Sequence, residues 1–500
     1  MNIKKIACLT VGLFIISIFG FSQYDNTWLI GHEGNTNYPN GQILFSNGVA
    51  DTSTMYRKMP FFRTNSIMTD SNGSILFYTN GVFIANGIHD TLLNSSDFNN
   101  GFYTKVSNNV GLGTSYSTVI IPDPKNANQY YVFHKTLDTI TYQGVPFSML
   151  PVSVRFTMVN MTLDGGLGGV PSNKKSIHVI DDTLNIGMLM ACRHGNGRDW
   201  WILTPRYNDS LIYKILVTPD TLIVSSQVTG SPIYYDVFAS SIFTPDGSKY
   251  LLMSQNNMLD IFDFDRCDGT LSNHSLIHLP DTIHAYSGAA VSSDNHYLYV
   301  NTQLEIYQID LTANPYSSSI ITVAQWDTFY SPFVTYFAYS QLGPDGKIYM
   351  STTHGCDVFH VIYQPDSTGL ACNVLQNSLK LPCTNLSIPN FPNYNLGPLT
   401  GSVCDTLTGI ASLQKDKELS LTIAPNPVTD DVLHIKYMLP RNKTGTLTIT
   451  DVTGKQVYTY RLPQWSTLQN LPVGLAEGMY FCTVMSDGMK VVKKFVLIRE

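Results

Sequence analysis

The chain has 500 residues, of which 43% are hydrophobic and only 13% are charged. This length exceeds what one compact core usually holds, so we expect at least two domains. The low charge excludes a disordered chain, a coiled coil and a polyelectrolyte binder. Glutamate occurs only five times, which leaves 32 of the 37 acidic residues as aspartate. Because Asp, Asn, Gly and Pro favour turns whereas Glu and Lys favour helices, the composition predicts an all-β protein.

The N-terminus has the three-part layout of a secretory signal peptide. Lys4 and Lys5 precede an apolar run over 6–19, and the small residues Gly20 and Ser22 stand three and one before Gln23. The run is shorter than the roughly 20 residues that cross a bilayer, and no other segment is apolar and long enough. We therefore predict a signal peptide over 1–22, export through the Sec pathway, and no transmembrane segment.

Seven cysteines remain after this cleavage, in a compartment where disulfides are permitted. Four of them, Cys356, Cys372, Cys383 and Cys404, fall near the end of the large domain, where bridges could tie that end down. Spacing does not reveal the pairing, and an odd number leaves at least one thiol unpaired. No Cys-x-x-Cys or His pair at ligand spacing supports zinc, so we expect neither a metal nor a cofactor.

One unit recurs between residues 23 and 405: a turn of Asp, Asn and Gly, then a short strand rich in aromatic and β-branched residues. These strands cover 75–78, 130–133, 200–203, 250–253, 297–300 and 348–350. The last three turns begin at Asp246, Asp294 and Asp345, in steps of 48 and 51 residues. At roughly 50 residues for a four-stranded blade, this period predicts a β-propeller of about seven blades, with six or eight also open. Strands at 27–30 and 41–45 would close the ring against the last blade.

Two shorter stretches of this domain carry further information. Residues 263–271 predict a hairpin with its turn at Asp268-Gly269, since their acids fall at the wrong offsets for a calcium loop. Residues 72–81, Asn-Gly-Ser-Ile-Leu-Phe-Tyr-Thr-Asn-Gly, resemble a segment of the secreted propeller-like proteins of Bacteroidota, and 192–201 and 389–394 are similar to other stretches of that group. The resemblance implies a secreted propeller and no particular activity.

A charged linker over 406–418 precedes about 80 residues of alternating strands, which predict a small immunoglobulin-like β-sandwich over 419–500. The motifs at 424–427, 447–455, 475–480 and 493–496 resemble the type A C-terminal sorting domain of the type IX secretion system. The resemblance implies a signal for the outer-membrane translocon and sorting machinery, and a protein that is secreted or held on the outer-membrane surface. The residues that carry it are Pro425, Asn426, Pro427, Gly454, Gly478, Tyr480, Lys493 and Lys494. Lys493 and Lys494 are equally well explained as a solvated strand face.

The distribution of charge along the chain indicates which ligands the propeller can bind. Residues 23–412 carry 17 basic and 29 acidic side chains, or net −12, whereas 413–500 carry 11 and 8, or net +3. An acidic propeller repels phosphate backbones, so nucleic acid is not expected as a ligand.

The triplet Asp, then Ser or Thr, then an aliphatic residue occurs seven times and is similar to the O-glycosylation sequon of Bacteroidota, although Asp-Thr is also ordinary turn chemistry. The candidate acceptors are Thr91, Thr139, Thr183, Ser210, Thr221, Thr282 and Thr406.

The sequence contains none of the common hydrolase, phosphate-loop or dinucleotide motifs. Its sharpest polar cluster consists of Arg193, His194, Arg198, Trp200 and Trp201, which could bind a sugar or a carboxylate at a propeller mouth. The same residues also fit a structural role, in which Cys192 is disulfide-bonded and the tryptophans pack between blades. We expect a non-catalytic module that binds an unknown extracellular glycan or protein. The alternative is a secreted hydrolase or lyase that degrades polysaccharide or peptide in the propeller channel.

Overall fold

The computed structural model describes residues 24–34, 39–46, 48–142, 144–233, 240–254, 257–280, 287–405, 419–423, 425–429, 432–439, 443–462 and 468–499. The predicted signal peptide and the predicted linker lie outside these residues. The chain divides into two compact units, Met1–Leu407 and Thr408–Glu500. Among the described residues, no helix combines the length and the apolar character needed to cross a bilayer.

The first unit contains seven antiparallel sheets, which follow one another along the described part of the chain as simple meanders. The first three sheets are β1 (Thr27–Ile30), β2 (Asn40–Ser46) and β3 (Val49–Met55); β4 (Ser66–Thr69), β5 (Ile75–Thr79) and β6 (Ile84–Asn86); and β7 (Thr118–Pro122), β8 (Gln129–Tyr142), β9 (Val145–Asn160) and β10 (Ile177–Asp181). The next two are β11 (Met190–Arg193), β12 (Trp200–Pro205), β13 (Asp209–Val217) and β14 (Leu222–Ile233); and β15 (Ser240–Phe243), β16 (Lys249–Met253), β17 (Met258–Phe264) and β18 (Leu271–His278). The last two are β19 (Gly288–Val291), β20 (Tyr297–Asn301), β21 (Glu305–Asp310) and β22 (Ile321–Gln325); and β23 (Phe337–Leu342), β24 (Ile348–Thr352), β25 (Cys356–Ile362) and β26 (Val374–Asn385). The connections that the structure describes contain one short helix, α1 (Phe102–Val106), and 3-10 turns at Asp164–Gly166, Tyr316–Ser319 and Gly369–Cys372.

The seven sheets form a ring. The first strand of each of the last six sheets contacts the first strand of the next, from β4 through β7, β11, β15 and β19 to β23. The last strand, β26, contacts β2 and β3, and the Thr52 hydroxyl donates to the Lys380 carbonyl oxygen across this junction. Closure of the ring covers the sheet edges that would otherwise pair with other chains. The unit is a seven-bladed β-propeller, and the predicted closure by the N-terminal strands is confirmed.

The six recurrent strands of the sequence are the second strands of blades 2 to 7, namely β5, β8, β12, β16, β20 and β24. The turns before all of these strands except β8 contain a residue with positive φ, for example Gly247 and Gly346 at +72° and +76° and Asn295 at +65°. Gly and Asn tolerate this conformation better than other residues. A Cβ atom at Gly247 would also lie 2.8 Å from the Cys192 sulfur. The repeat thus marks the same inner turn in successive blades.

The second unit is a two-layer β-sandwich. Its strands are β27 (Ser420–Ile423), β28 (Val432–Met438), β29 (Gly445–Asp451), β30 (Gln456–Leu462), β31 (Leu468–Pro472), β32 (Gly478–Ser486) and β33 (Met489–Leu497). They form the sheets β27-β28-β31 and β30-β29-β32-β33, which enclose a core that includes Leu433, Ile449, Cys482 and Phe495. The sandwich was predicted, whereas β31 was not recognised from the sequence.

Candidate functional site

The centre of the propeller is occupied by the chain itself. After β26, residues 386–404, here called the closing segment, turn into the ring and bond to the inner strands. The Asn390 side-chain amide donates to the carbonyl oxygens of Thr118 and Leu189, at 2.8 and 3.2 Å, and so links blades 3 and 4. The Asn390 backbone N–H donates to the Asn65 carbonyl oxygen at the start of blade 2. These bonds place residue 390 at one end of the central channel.

The closing segment continues through the channel towards its other end. The Tyr394 hydroxyl donates to the Ile120 carbonyl oxygen at 2.8 Å, and the Asn393 amide donates to the Pro245 carbonyl oxygen at 2.7 Å. The Phe391 ring lies 6.1 Å from that of Trp28 in β1. Because β1 begins beside Gly73, beyond the end of β4, it runs antiparallel to β4. The closing segment thus packs against β1 of blade 1 through Phe391.

The closing segment ends in a covalent bond between Cys404 and Cys267. Cys267 lies in the turn between β17 and β18, which is the predicted hairpin at 263–271. Cys404 therefore does not pair within the cysteine cluster at the end of the domain, as the spacing had suggested it could. The other described cysteines are free and buried: Cys192, Cys356, Cys372, Cys383 and Cys482. The suggested disulfide at Cys192 is wrong. Cys192 is a free thiol, and the nearby Cys267 is bonded to Cys404 instead.

An open cavity of about 310 Å³ remains where the inner strands of blades 4 to 7 end. We call it the turn-face cavity, since the turns that follow these strands surround it. Its floor is apolar and buried, and includes Met190, Ala289, Val291 and Phe391. Its exposed rim carries uncharged polar side chains, among them Ser293, Asn393 and Asn395. Such a combination can hold a ligand with one apolar face and several hydroxyl or amide groups.

Asp25 is the one carboxylic acid among the described residues that line the turn-face cavity. Burial disfavours its charged form and raises the pKa of this carboxyl to about 6, against the opposing effect of a backbone hydrogen bond. Burial also raises the pKa of the Cys192 thiol in the cavity wall to about 12, which keeps this sulfur a poor nucleophile. The lining described here thus offers one proton-exchanging group rather than the pair of carboxyls that glycoside hydrolysis generally uses.

Beside this cavity, the predicted polar cluster braces the turn between β11 and β12. Arg193 donates to the carbonyl oxygens of Gly197 and Tyr394 and lies 4.4 Å above the Trp200 ring. Trp200 packs towards the closing segment, and Trp201 packs on the other face of the blade, against Phe264. Both tryptophans are buried. The packing on both faces of blade 4 matches the structural interpretation of this cluster.

His194 and Arg198 hold the same turn. The His194 Nε2 atom lies 2.8 Å from the Cys267 carbonyl oxygen, and Arg198 forms an ion pair with Asp199 at 2.6 Å. Asp199 in turn accepts a hydrogen bond from Asn196. The five predicted binding residues thus lie together and are engaged by the protein, while a role in binding stays a prediction. Asp25 and the closing segment were missed, although the Asn- and Pro-rich stretch at 389–394 was an available signal.

No three His, Cys, Asp or Glu side chains in the described part of the chain converge closely enough to hold a metal ion.

The candidate O-glycosylation sites differ in accessibility. Thr91 and Thr221 are exposed, whereas Thr139, Thr183 and Ser210 are half-buried. The Asp138 and Asp182 carboxylates accept the N–H groups of the residues that follow them, as turn chemistry requires. Thr282 and Thr406 lie outside the described residues.

In the sandwich, the predicted sorting residues line the last strand and nearby turns. The exposed Asn426, between Pro425 and Pro427, donates to the Lys494 carbonyl oxygen and accepts from the Val496 N–H, at 3.1 and 3.0 Å. Lys493 and Lys494 are exposed on β33, at the edge of the sheet.

Three further sorting residues, Gly454, Gly478 and Tyr480, have clear structural roles. Gly454 has a φ of +85° in the turn between β29 and β30, where a side chain would be strained. Gly478 begins β32, and Tyr480 stacks on Phe495 with ring centroids 5.6 Å apart. The Tyr480 hydroxyl donates to the Ala476 carbonyl oxygen at 2.8 Å. These contacts fix the path of the chain from β31 into β32.

Comparison with known families identifies the second unit. Residues 422–498 match the family described as "Secretion system C-terminal sorting domain". This match shows a type IX sorting domain at the C-terminus, which implies export to the cell surface or the medium. No curated protein matches the sequence.

Solved structures resemble the first unit only distantly. One, titled a 6-phosphogluconolactonase of Bacteroides uniformis, is 14% identical with a TM-score of 0.44, and the match covers 73% of this chain and 98% of that one. A second with the same title, from Bacteroides fragilis, is 12% identical with a TM-score of 0.40, over 73% and 97%. A periplasmic gluconolactonase of Pseudomonas aeruginosa is 11% identical with a TM-score of 0.40, over 72% and 98%. The propeller assignment rests on the sheets of this chain, and these likenesses assign it no activity.

Proposed function

We propose that this protein is an extracellular binding module of a Bacteroidota cell, and that the turn-face cavity is its ligand site. The observation that carries the proposal is that the closing segment runs through the channel and borders an open cavity with an apolar floor and an uncharged polar rim. A neutral sugar unit has the matching combination of an apolar face and hydroxyl groups. The net charge of −12 over 23–412 argues against phosphorylated ligands.

The proposed route to the outside has two steps. The signal peptide over 1–22 directs the chain through the Sec pathway, and the sorting domain then presents it to the type IX translocon. Support for the second step comes from the family match at 422–498 and from the exposed side chains of Lys493 and Lys494 on β33. Attachment to the surface and release into the medium are both compatible with this route.

A second candidate function is supported by Asp25. A carboxyl whose pKa lies near 6 can give a proton to a leaving group at mildly acidic pH. In that case the protein would be a hydrolase or lyase that acts on a glycan or peptide in the same cavity. The lone carboxyl favours binding over this alternative, because a hydrolase also needs a group that activates water or attacks the substrate.

The two functions are separated by an experiment on the full mature chain. Neutral oligosaccharides and peptides are titrated by calorimetry, and the same mixtures are examined for products by mass spectrometry. We expect binding without turnover, and we expect Asn395→Trp, which places a large side chain at the cavity rim, to remove the binding that occurs in the cavity. Thr400→Trp is the matched control, since Thr400 is exposed in the same closing segment outside the cavity lining.

Turnover that is lost in Asp25→Asn would establish the enzyme instead. A binding isotherm that Asn395→Trp leaves wholly unchanged would remove the turn-face cavity as a site.

A further inference from the structure

The connection between β22 and β23, residues 326–336, exposes an unusual number of aromatic side chains. The exposed fractions of Phe329, Tyr330 and Phe333 are 46%, 60% and 56%. Trp326 lies behind them, with its ring centroid 6.0 Å from that of Tyr330. We call this connection the aromatic loop. Exposed aromatic side chains that are concentrated in one short loop can mark a binding surface.

The aromatic loop is held rigidly even though its rings are exposed. Thr335 bonds back to the Phe329 carbonyl oxygen through both its backbone N–H and its hydroxyl, at 3.3 and 2.9 Å. The Trp326 indole N–H donates to the same Thr335 hydroxyl at 3.2 Å. Ser331 is bonded to Asp357 of β25 through its carbonyl oxygen and its hydroxyl. A fixed backbone presents the rings without a large loss of conformational freedom on binding.

Polar groups of the loop and of β26 lie beside these rings. Asp327 is exposed, and its carboxylate accepts from the Asn377 amide at 2.9 Å and from the Phe329 N–H at 3.1 Å. The Asp327 N–H donates to the Gln376 side chain at 3.1 Å. Planar carboxylate and amide groups beside exposed aromatic rings offer hydrogen bonds at the edge of an apolar surface, which suits a ligand with an apolar face and several hydroxyl groups.

The charges around the aromatic loop favour a neutral ligand over an anionic one. Lys380, which donates to the Ser331 hydroxyl of the loop at 3.3 Å, is paired with Asp357 at 2.6 Å, while the exposed Asp327 adds a negative charge beside the rings. Anionic polymers are therefore repelled. The C–H groups on the flat face of a neutral sugar are polarised positively and suit the negative face of an aromatic ring, and the sugar hydroxyls suit Asp327 and its amide neighbours.

We propose that the aromatic loop is a second binding surface, which takes the flat face of a neutral glycan. It is independent of the turn-face cavity, because the loop precedes the start of β23 whereas the cavity is lined by the end of that strand. Tyr330 and Phe333 supply the ring faces, and Asp327 accepts hydrogen bonds from the sugar hydroxyls. The protein would thus hold a polysaccharide on the face opposite to its cavity.

The test uses the full mature chain and the neutral hexasaccharides cellohexaose, xylohexaose, mannohexaose, laminarihexaose and maltohexaose, with polygalacturonate as the anionic comparison. Binding is followed by calorimetry and by the tryptophan fluorescence to which Trp326 contributes. We expect at least one neutral glycan to bind, polygalacturonate not to bind, and Tyr330→Ala/Phe333→Ala to weaken binding about tenfold or more.

Tyr56→Ala is the matched control, since Tyr56 is 59% exposed in blade 1 and should be neutral. Because the cavity is also proposed to take neutral sugars, the comparison is made in the Asn395→Trp background, where the aromatic loop should still bind. The proposal is overturned if no neutral glycan binds, or if the double variant binds with wild-type affinity and an unchanged melting temperature. It is equally overturned if the double variant abolishes a concentration-dependent dimer in sedimentation, which would assign the aromatic loop to a second copy of the chain.

Discussion

Cys404 is disulfide-bonded to Cys267, which lies 137 residues earlier in the chain. The bond fastens the end of the closing segment to blade 5 just before the boundary between the two units. A segment that fills the channel is thereby prevented from leaving it by fraying from its C-terminal end.

Removing this bond should destabilise the propeller. A disulfide that closes so long a loop contributes about 2 to 5 kcal/mol by restricting the unfolded chain. We expect Cys267→Ser/Cys404→Ser to lower the urea midpoint of the propeller transition, followed by tryptophan fluorescence, and dithiothreitol to reproduce the effect in the wild type. The double variant should not respond to dithiothreitol. Equal midpoints with and without the bond would show that the closing segment needs no covalent anchor.

Asn390 should be the strongest noncovalent anchor of the closing segment. Its replacement by Ala leaves the buried carbonyl oxygens of Thr118 and Leu189 without this donor, a loss of about 2 to 4 kcal/mol. Asn393→Ala removes one bond at an exposed position and should cost less than about 1 kcal/mol. Both values follow from urea unfolding curves. Similar losses for the two variants would contradict the placement of Asn390 inside the ring.

Asp25 should make stability depend on pH in a defined direction. Its pKa is raised by burial from 3.8 to about 6, so the folded protein favours the protonated form. This contribution is fully present below pH 3.8 and is lost as the pH rises through 6. We expect Asp25→Asn to raise stability at pH 7 to 8 by about 1 to 3 kcal/mol and to have no such effect below pH 4. Melting curves between pH 4 and 8 measure the difference in stability between the variant and the wild type. A stability gain in Asp25→Asn that does not change with pH would contradict the raised pKa of Asp25.

Much of the fold was predictable because its signals are local. The turns before β16, β20 and β24 need residues that accept positive φ, and Gly247, Asn295 and Gly346 therefore repeat with the blade. The sorting domain was recognisable for the same reason, since Gly454 and Gly478 stand at fixed places in short turns and strand starts.

The candidate site was predictable only in part, because it depends on contacts between distant residues. Asn390 meets Thr118 across 272 positions, and no local pattern indicates that a loop after β26 returns into the ring. The pairing of Cys404 with Cys267 follows from that return. Exposure of Tyr330 could not be inferred either, because aromatic residues in this chain are mostly buried strand residues. The sequence indicated that Arg193 and Trp200 belong to one cluster, and they do contact each other. The cluster lies beside the cavity and does not line it.

The claim that the second unit exports the propeller is tested most directly by cell fractionation in a Bacteroidota host with a working type IX system. The full chain is compared with a variant that ends at Leu407, and both are located by immunoblotting of medium, surface and periplasm. We expect the full chain outside the outer membrane and the shortened chain in the periplasm. A shortened chain that reaches the surface or the medium as efficiently as the full chain would contradict the account.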